Sequence, residues 1–373
     1  MKKKILIVAD TPTHPVIGGN RMCILQNAHL LREIGFEVFF LLYDFYGVMD
    51  SEKEDCKSFW GDHFFYFTPS GVYKSIHKIA SKLVPSLNRK VDFYCSDSLV
   101  SFINKLHIRE NFEGLLVNYI WLSKLYKTNI PKKALYTHDV FTNRADRITA
   151  NYKWMYFTPN QEAKALHRFE NVLAIQQNEA VFFKLLVPGC KVYTIYSPVT
   201  YKSQPITGNH NVLFFSGGGE LNVSGLEWYL HEIHPEIVKL VPDYTLCIGG
   251  KICDCLNEHH IDKNIKLYGV YDNVADFYQL GDVAINPAYS GSGLKIKTIE
   301  AISHGKYIVV HPHSAEGLYG QPPLISSEDP ETFAQSLISA LANVSLIERQ
   351  KCKCRQYCES MSGYIETIYK SLF

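Results

Sequence analysis

Residues 281–310 read GDVAINPAYSGSGLKIKTIEAISHGKYIVV, and this stretch decides the fold of the second half of the chain. Two apolar runs, Val283–Ile285 and Tyr307–Val310, have the composition of short buried strands. Between them, a turn rich in Pro, Gly and Ser leads into a helical pattern that carries two lysines and Glu300. A strand, a turn, a helix and a second strand in this order predict a parallel α/β sheet.

The same stretch has the chemistry of a nucleotide site. Small residues in the turn let a phosphorylated ligand approach the backbone. The N-terminus of the helix offers free N–H groups and the positive end of the helix dipole. Glu300 lies about two turns into the predicted helix, where a carboxylate can accept hydrogen bonds from a vicinal diol. Phosphate at the turn and ribose at the carboxylate together indicate a nucleotide.

Length and composition narrow the class of protein. A chain of 373 residues exceeds one typical hydrophobic core, which predicts two domains of roughly 150–200 residues each. With 46% hydrophobic and 20% charged residues and no low-complexity tract, the composition is typical of a soluble globular protein. A net charge of +1 without a strongly basic domain argues against a dedicated nucleic-acid-binding protein.

The cysteines and the N-terminal sequence indicate the cellular compartment of the protein. Ten cysteines are scattered without a spaced disulfide framework. The clusters at 253–255 and 352–358 lack paired C-x2-C spacing, so no metal site is predicted. The apolar run after MKKK is too short for the hydrophobic region of a signal peptide or for a bilayer span. We therefore expect a cytoplasmic protein with reduced thiols.

Both halves of the chain repeat one pattern: an apolar run, a Gly-rich turn, an amphipathic helix and an apolar run. Strands are predicted at 4–9, 37–43, 64–67, 114–118, 133–137, 171–175, 211–218, 245–250, 265–269 and 283–287, and helices at about 21–34, 223–240 and 273–280. The segment SPVTYKSQPITGNH, residues 197–210, has the composition of a linker. The pattern predicts two doubly wound α/β domains.

Five segments of the second half occur in the order found in one known family. They are FFSGGGELNVSGLEWYL (214–230), LYGVYDNVADFYQLGDVAINP (267–287), GSGLKIKTIEAISHGKYIVV (291–310), AEGLYG (315–320) and SEDPETFAQSLISAL (327–341). In these segments the chain resembles glycosyltransferases of the GT-B fold, specifically the large retaining group that uses nucleotide sugars.

The resemblance implies two Rossmann-like domains that face a central cleft. Residues 1–198 would form the acceptor-binding domain and residues 199–345 the domain that binds the nucleotide sugar. Residues 346–373 would form a helical segment that packs back on the N-terminal domain.

The resemblance makes Glu300 the ribose-binding glutamate at the end of the family's E-x7-E motif. Where the family has the first glutamate of that motif, this chain has Ser292. In the family that glutamate contacts the sugar hydroxyls, so the departure bears on the identity of the sugar. A solvent-exposed helical glutamate is the alternative for Glu300.

Lys295 and Lys297 are candidates for neutralising the diphosphate, because an ammonium group is a compact point charge. Many family members use an Arg and a Lys from the loop after the first strand of this domain, but here that loop, SGGGELNVSG, has neither. Residues Ser292, Gly293 and Leu294 would line the donor phosphates. Plain solvated lysines are the alternative.

Further site residues are implied by the resemblance. In the first half, Gly18 and Gly19 would approach the donor phosphates and the acceptor, and His138 would reach over the transferred sugar. Asp139, beside it, is a candidate contact or a cap of the next turn. In the second half, the residues expected near the base and the sugar are Val270, Tyr271, Glu316 and Gly317.

The segment Lys74–Lys90, KSIHKIASKLVPSLNRK, carries five basic residues and interleaved apolar residues, with no acidic ones. Such a segment can dock on an anionic membrane surface or a lipid-linked acceptor, and a solvated basic helix is the alternative.

We expect a glycosyltransferase that moves a sugar from a UDP- or GDP-linked donor to a hydroxyl of a sugar or lipid-linked acceptor, with retention, in bacterial polysaccharide or glycoconjugate synthesis. No cofactor is expected, and no metal is required, because lysines can take the place of the absent D-x-D carboxylates. Two alternatives stay open: a non-catalytic nucleotide-sugar-binding or scaffold subunit, and a nucleotide-sugar 2-epimerase of the same fold. An ordinary nicotinamide dehydrogenase is disfavoured, because no G-x-G-x-x-G follows the first strand of either half.

Overall fold

The structure is a computed structural model that describes residues 2–16, 18–144, 157–196, 199–202, 204–256, 262–291 and 294–373. The chain divides into two compact units. The first unit comprises Met1–Pro198 together with Tyr364–Phe373, and the second unit comprises Val199–Gly363. Each unit is a parallel α/β domain, which confirms the predicted fold class.

The first unit is built on a parallel sheet with the strand order β3-β2-β1-β4-β5-β6-β7 among the described residues. Its strands are β1 Lys4–Ala9, β2 Glu37–Tyr43, β3 Phe64–Phe67, β4 Gly114–Asn118, β5 Lys132–Tyr136, β6 Asn171–Ala174 and β7 Lys191–Thr194. Its helices are α1 Gly19–Glu33, α2 Asp50–Trp60, α3 Gly71–Leu83, α4 Asp97–Glu110, α5 Pro159–Leu166 and α6 Gln177–Leu186. The central strands are buried on both faces, as their continuous apolar sequence requires.

The second unit has the strand order β10-β9-β8-β11-β12-β13, again parallel throughout the described part. Its strands are β8 Asn211–Phe215, β9 Thr245–Gly249, β10 Ile265–Gly269, β11 Val283–Asn286, β12 Tyr307–Val310 and β13 Ile325–Ser326. Its helices are α7 Glu220–Trp228, α8 His234–Leu240, α9 Val274–Tyr278, α10 Ile296–Ser303, α11 Pro330–Ala342 and α12 Val344–Leu372.

The strand order reverses direction between β1 and β4 in the first unit and between β8 and β11 in the second. In open parallel sheets, ligands bind beyond the carboxyl ends of the strands at such a switch point. The loops that follow these four strands are therefore the places to look for a site in each unit.

The long C-terminal helix α12 contributes to both units, since its residues from Tyr364 onward belong to the first. There the terminal Phe373 carbonyl accepts hydrogen bonds from Lys3 Nζ at 2.8 Å and from Lys132 Nζ at 2.7 Å. The Phe373 ring also fills the space beside Gly114, where a Cβ atom would lie 2.3 Å from a ring carbon. The end of the chain is thus fixed to the edge where β1, β4 and β5 begin.

Two predicted helices begin or run differently in the structure. The helix expected over 223–240 begins earlier, at Glu220, and is divided into α7 and α8 by a π-helical turn at Tyr229–Ile233. Pro235 lies in the first turn of α8, and its missing N–H accounts for the break in the hydrogen-bond ladder. The helix expected to carry Lys295 begins at Ile296, so Lys295 is its N-cap residue.

No described helix combines the length and the apolar character that crossing a membrane requires.

Candidate functional site

In the second unit, the loop after β11 and helix α10 carry the predicted lysines and Glu300. Ser292 and Gly293 lie outside the described residues. Gly291, just before them, has a φ of 133°, a backbone conformation that favours glycine. Leu294 is partly buried, and its carbonyl accepts a hydrogen bond from Ile296 N at 2.9 Å.

Helix α10 is anchored by a buried hydrogen-bond chain. Thr298 Oγ1 accepts from Asn286 Nδ2 at 2.9 Å and donates to the Ser314 carbonyl at 2.8 Å. Ser314 Oγ donates in turn to the Ala288 carbonyl at 2.7 Å. The helix is therefore fixed to the ends of β11 and β12, and Lys297 and Glu300, three residues apart, are held on one side of it.

Lys297 is held by a residue that the sequence did not single out. Its Nζ donates to Asn222 Oδ1 in the first turn of α7, and Asn222 Nδ2 donates to the Gly217 carbonyl at 3.1 Å. The first turn of α7, which follows the loop after β8, therefore contributes an amide oxygen that positions the lysine. Burial lowers the pKa of Lys297 to about 8, with Glu300 opposing the shift and Lys295 adding to it.

Glu300 is partly buried one turn further along α10. Burial raises the pKa of its carboxyl to about 7, against the opposing charges of Lys202 and Lys297. Within the described part of the chain, no group donates a hydrogen bond to this carboxylate. Its acceptor capacity is therefore available to a ligand hydroxyl.

Lys295 begins a second polar chain in this unit. Its Nζ lies 2.9 Å from His313 Nε2, and His313 Nδ1 lies 3.3 Å from a carboxylate oxygen of Glu316. Desolvation, aided by the charge of Lys295, lowers the pKa of His313. The structure thus connects two predicted residues, Lys295 and Glu316, through a histidine that the sequence did not indicate. Gly317 follows with a φ of 71°.

The two residues expected at the base edge follow strand β10. Val270 is 65% exposed, and the Tyr271 ring packs edge-on against Phe277 with centroids 5.6 Å apart. The role of these two residues at the base stays a prediction.

In the first unit, His138 lies directly beyond β5 at a φ of 67°, unusual for a non-glycine residue. Its Nε2 lies 2.8 Å from Asn118 Oδ1 at the end of β4, and its ring stacks on Tyr119 with centroids 4.2 Å apart. Burial lowers the pKa of His138 to about 3, so the ring is neutral at physiological pH. A neutral imidazole can position and hydrogen-bond a ligand but is a poor proton acceptor at this pKa.

Asp10 is a further candidate in the first unit that the sequence analysis missed. It follows β1, and its Oδ2 accepts a hydrogen bond from Trp121 Nε1 at 2.7 Å. Its Oδ1 is buried without a hydrogen-bond partner among the described residues. Burial raises the pKa of Asp10 to about 6. The signal was its place at the carboxyl end of a central strand, where functional groups collect.

The glycine turn is connected to this cluster. Gly18 caps α1 with a φ of 85°, and Gly19 is the first residue of that helix. Asn20 Nδ2 donates to the Tyr119 hydroxyl at 3.2 Å, as does Thr11 Oγ1 at 3.3 Å. Tyr119 therefore joins the loop after β1 to the stacked His138.

Asp139 is engaged within the protein. Its carboxylate forms an ion pair with Arg144 Nε at 2.8 Å and accepts a hydrogen bond from Val140 N at 2.8 Å. These contacts account for its burial, and a ligand contact at Asp139 stays a prediction. Across the described residues, His, Cys, Asp and Glu side chains form no group of three or more that could hold a metal ion.

Residues 210–343 match the family model for glycosyl transferases group 1. A curated protein of Klebsiella pneumoniae, described as an uncharacterized 44.6 kDa protein in the cps region, is 23% identical to this chain over 381 residues, which cover 92% of each protein.

Solved structures resemble the whole chain. TarM superposes with a TM-score of 0.70 at 12% identity, over 100% of this chain and 98% of its own. Anabaena Alr3699/HepE, in complex with UDP and glucose, has a TM-score of 0.64 at 12% identity over 99% of both chains. The pneumococcal O-GlcNAc transferase GtfA, in complex with UDP and GlcNAc, has a TM-score of 0.64 at 11% identity, over 100% of this chain and 98% of its own.

These likenesses show the GT-B fold, with two Rossmann-like domains. The family match over the second unit and the fold together support a GT-B glycosyltransferase.

Proposed function

We propose that this protein transfers a sugar from a UDP-sugar to an acceptor hydroxyl, and that the second unit binds the donor. The observation that carries the proposal is the pair of Lys297 and Glu300 on α10, whose pKa values burial shifts toward the neutral forms. Such shifts are common where a ligand supplies the missing charges and hydrogen bonds. A diphosphate would raise the pKa of Lys297 and so favour its charged form, and a ribose diol would satisfy the Glu300 carboxylate.

The diphosphate would lie at the N-terminal end of α10. In the transfer step, the bond between the anomeric carbon and the diphosphate oxygen breaks, and the oxygen keeps the electron pair. The acceptor oxygen forms the new bond to the anomeric carbon, and its proton passes to the departing diphosphate. Lys297 and the free N–H groups of the first turn would stabilise the negative charge that develops there. Lys295, which contacts His313, would add a second positive charge to the same end of the helix.

The first unit would bind the acceptor. Asp10 and His138 lie beyond β1 and β5, in loops that Tyr119 joins. A carboxylate with one unused oxygen and a neutral imidazole can orient a sugar hydroxyl by hydrogen bonds. We propose retention of configuration at the transferred sugar, as in the group of transferases that the sequence resembles.

The proposed biological role is bacterial polysaccharide or glycoconjugate synthesis. The relative from the cps region of Klebsiella pneumoniae supports this assignment, because it spans the length of both chains. The neighbours in complex with UDP favour a uridine donor over a guanosine one.

The first experiment is a thermal-shift screen with UDP, GDP, ADP and dTDP at equal concentrations, since a ligand that binds the folded state raises the melting temperature. We expect UDP to give the largest increase in Tm. A panel of UDP-sugars with sugar acceptors should then show acceptor-dependent release of UDP.

Two outcomes would favour the alternatives. Conversion of the donor to its 2-epimer without an acceptor would indicate the epimerase. Donor binding with neither transfer nor hydrolysis would indicate a non-catalytic subunit. If no nucleotide changes the Tm and Glu300→Ala has no effect on any activity, the proposed function is wrong.

A further inference from the structure

Helix α3 of the first unit is amphipathic in an unusual sense, because its aliphatic side chains face outward. Val72, Ile76, Ile79 and Leu83 are 70%, 62%, 58% and 76% exposed. Their spacing of four, three and four residues places all four on one stripe of the helix. A water-soluble surface helix normally turns such a stripe toward the core.

The opposite face of α3 holds the helix on the domain. The His77 ring stacks on Phe93 with centroids 3.5 Å apart, and its Nε2 lies 2.8 Å from the Phe93 carbonyl. Tyr73 packs against the hydrophobic core, and Lys74 lies 3.7 Å from the Asp44 carboxylate. Ser70 caps the N-terminus by accepting from Tyr73 N at 3.3 Å. The outward orientation of the aliphatic stripe is therefore fixed by packing on the other side.

Basic residues border the stripe. Lys78 and Lys82 are exposed on the same helix, and Lys90 is exposed shortly after it. The sequence from Gly71 to Val91 contains no acidic residue. Asp92, the next acid along the chain, is already paired with Lys164 and Arg168. The surface therefore presents an aliphatic stripe together with positive charges that have no acidic neighbour in sequence.

We propose that this surface, which we call the α3 stripe, docks the protein on an anionic lipid bilayer. An aliphatic stripe next to lysines matches the interface between acyl chains and anionic headgroups. A second copy of this chain fits less well, because it would bring the same lysines against each other, and like charges in contact oppose association. The proposal does not depend on the chemistry of the second unit.

The test is co-sedimentation of the full-length protein with sucrose-loaded vesicles of phosphatidylcholine alone or mixed with phosphatidylglycerol. We expect binding to the mixed vesicles, weak binding to the neutral ones, and a loss of binding as salt is raised. Ile76→Glu together with Ile79→Glu should weaken binding at least about a hundredfold, because two apolar anchors become charged. Lys78→Gln with Lys82→Gln should weaken it about tenfold or more.

The matched control is Ile108→Glu with Leu185→Glu. These aliphatic residues are 83% and 77% exposed on α4 and α6 of the same unit, but they do not form a stripe with each other. We expect the control to bind vesicles as the wild type does. The circular dichroism spectrum and Tm of all variants should match the wild type, since none of the changed residues is buried.

The outcomes separate the possible occupants. Loss of vesicle binding in the α3 variants but not in the control supports the proposal. Absence of wild-type binding to anionic vesicles overturns it, and so does equal binding by the α3 variants. A concentration-dependent dimer that Ile76→Glu with Ile79→Glu abolishes, without vesicle binding, would instead identify an interface between copies of this chain.

Discussion

In the second unit, the end of the sheet presents a lysine and a glutamate that burial shifts toward their neutral forms. In the first unit, the corresponding end presents a histidine that is already neutral, hydrogen-bonded and stacked. Among the described residues, no group donates a hydrogen bond to the Glu300 carboxylate, whereas His138 already has a hydrogen-bond partner and a stacking partner in its own unit. A group that the fold leaves unsatisfied contributes binding energy when a ligand satisfies it, and a satisfied group mainly contributes shape.

The difference predicts that changes in the second unit reduce activity more than changes in the first. The largest effect is expected for Lys297→Ala, because it removes the positive charge nearest the proposed diphosphate. We expect the transfer rate to fall by about a hundredfold to a thousandfold, the usual cost of losing one group that stabilises developing charge. Initial rates at saturating donor would measure this effect.

The matched control for that variant is Lys239→Ala, an exposed lysine on α8 of the same unit. Its rate should equal that of the wild type. A Lys297→Ala rate within about twofold of the control would contradict the proposed role of Lys297.

The next largest effect is expected for Glu300→Gln. We expect UDP to bind about tenfold to a hundredfold more weakly, because hydrogen bonds to a charged acceptor are stronger than those to a neutral one. Isothermal titration should show little change for 2′,3′-dideoxyuridine diphosphate, which lacks the diol. Glu236→Gln, an exposed glutamate on α8, is the control. Equal losses for both nucleotides would place Glu300 away from the ribose.

The pH dependence of UDP binding should show the same pair of groups. Affinity should fall below about pH 7, as Glu300 takes up a proton, and above about pH 8, as Lys297 loses one. On each side, the affinity for UDP should change by up to about tenfold per pH unit. In Glu300→Gln the acidic limb should disappear and the alkaline limb should stay. His138 should contribute no limb above pH 5, because its pKa is about 3.

His138→Ala should have a smaller effect, confined to the steps that involve the sugar. Loss of one hydrogen bond and one stacking contact predicts a decrease in kcat of about tenfold. UDP affinity should not change, because UDP lacks the transferred sugar that His138 would contact. The exposed His167 provides the control variant His167→Ala. A loss of UDP affinity in His138→Ala equal to that in Lys297→Ala would remove the distinction between the two units.

The sequence predicted the alternation of strands and helices because each central strand is a continuous apolar run, as in β1 and β11. It also predicted that Lys297 and Glu300 share one helix, because they lie within one short motif, and both lie on α10, while their contact with a ligand stays a prediction. It did not predict Asn222 as the partner of Lys297, or Trp121 as the partner of Asp10, because 75 and 111 residues separate the members of these pairs. Only the strand order brings such residues together, and that order is a property of the folded sheet.

Helix boundaries were less predictable for local reasons. Pro235 has no N–H to donate, and the π-helical turn before it changes the hydrogen-bond pattern between α7 and α8. The spacing of apolar residues alone does not reveal this break. The segment Lys74–Lys90 indicated a possible docking surface, but the sequence did not show which face of α3 points outward, because a stripe has the same spacing whether it faces the core or the solvent.

The smallest effect concerns stability, and its sign differs between the units. The raised pKa of Glu300 stabilises the folded protein below the unfolded value of 4.5, and this contribution is lost as pH rises through about 7. Glu300→Gln should therefore raise the Tm at pH 8. The pKa of Lys297 is lower in the folded protein than in the unfolded chain, so its protonation destabilises the folded state, most fully below about pH 8. Lys297→Met removes this cost and should therefore raise the Tm at pH 7.

We expect increases of about 2–4 °C in both variants together with the losses of activity described above. His138→Ala should lower the Tm instead, because it removes contacts that the first unit already makes. Differential scanning calorimetry at pH 7 and 8 would measure all three variants. A decrease in Tm for Lys297→Met and Glu300→Gln would mean that these two residues are satisfied within the fold, and the contrast between the two sheet ends would then fail.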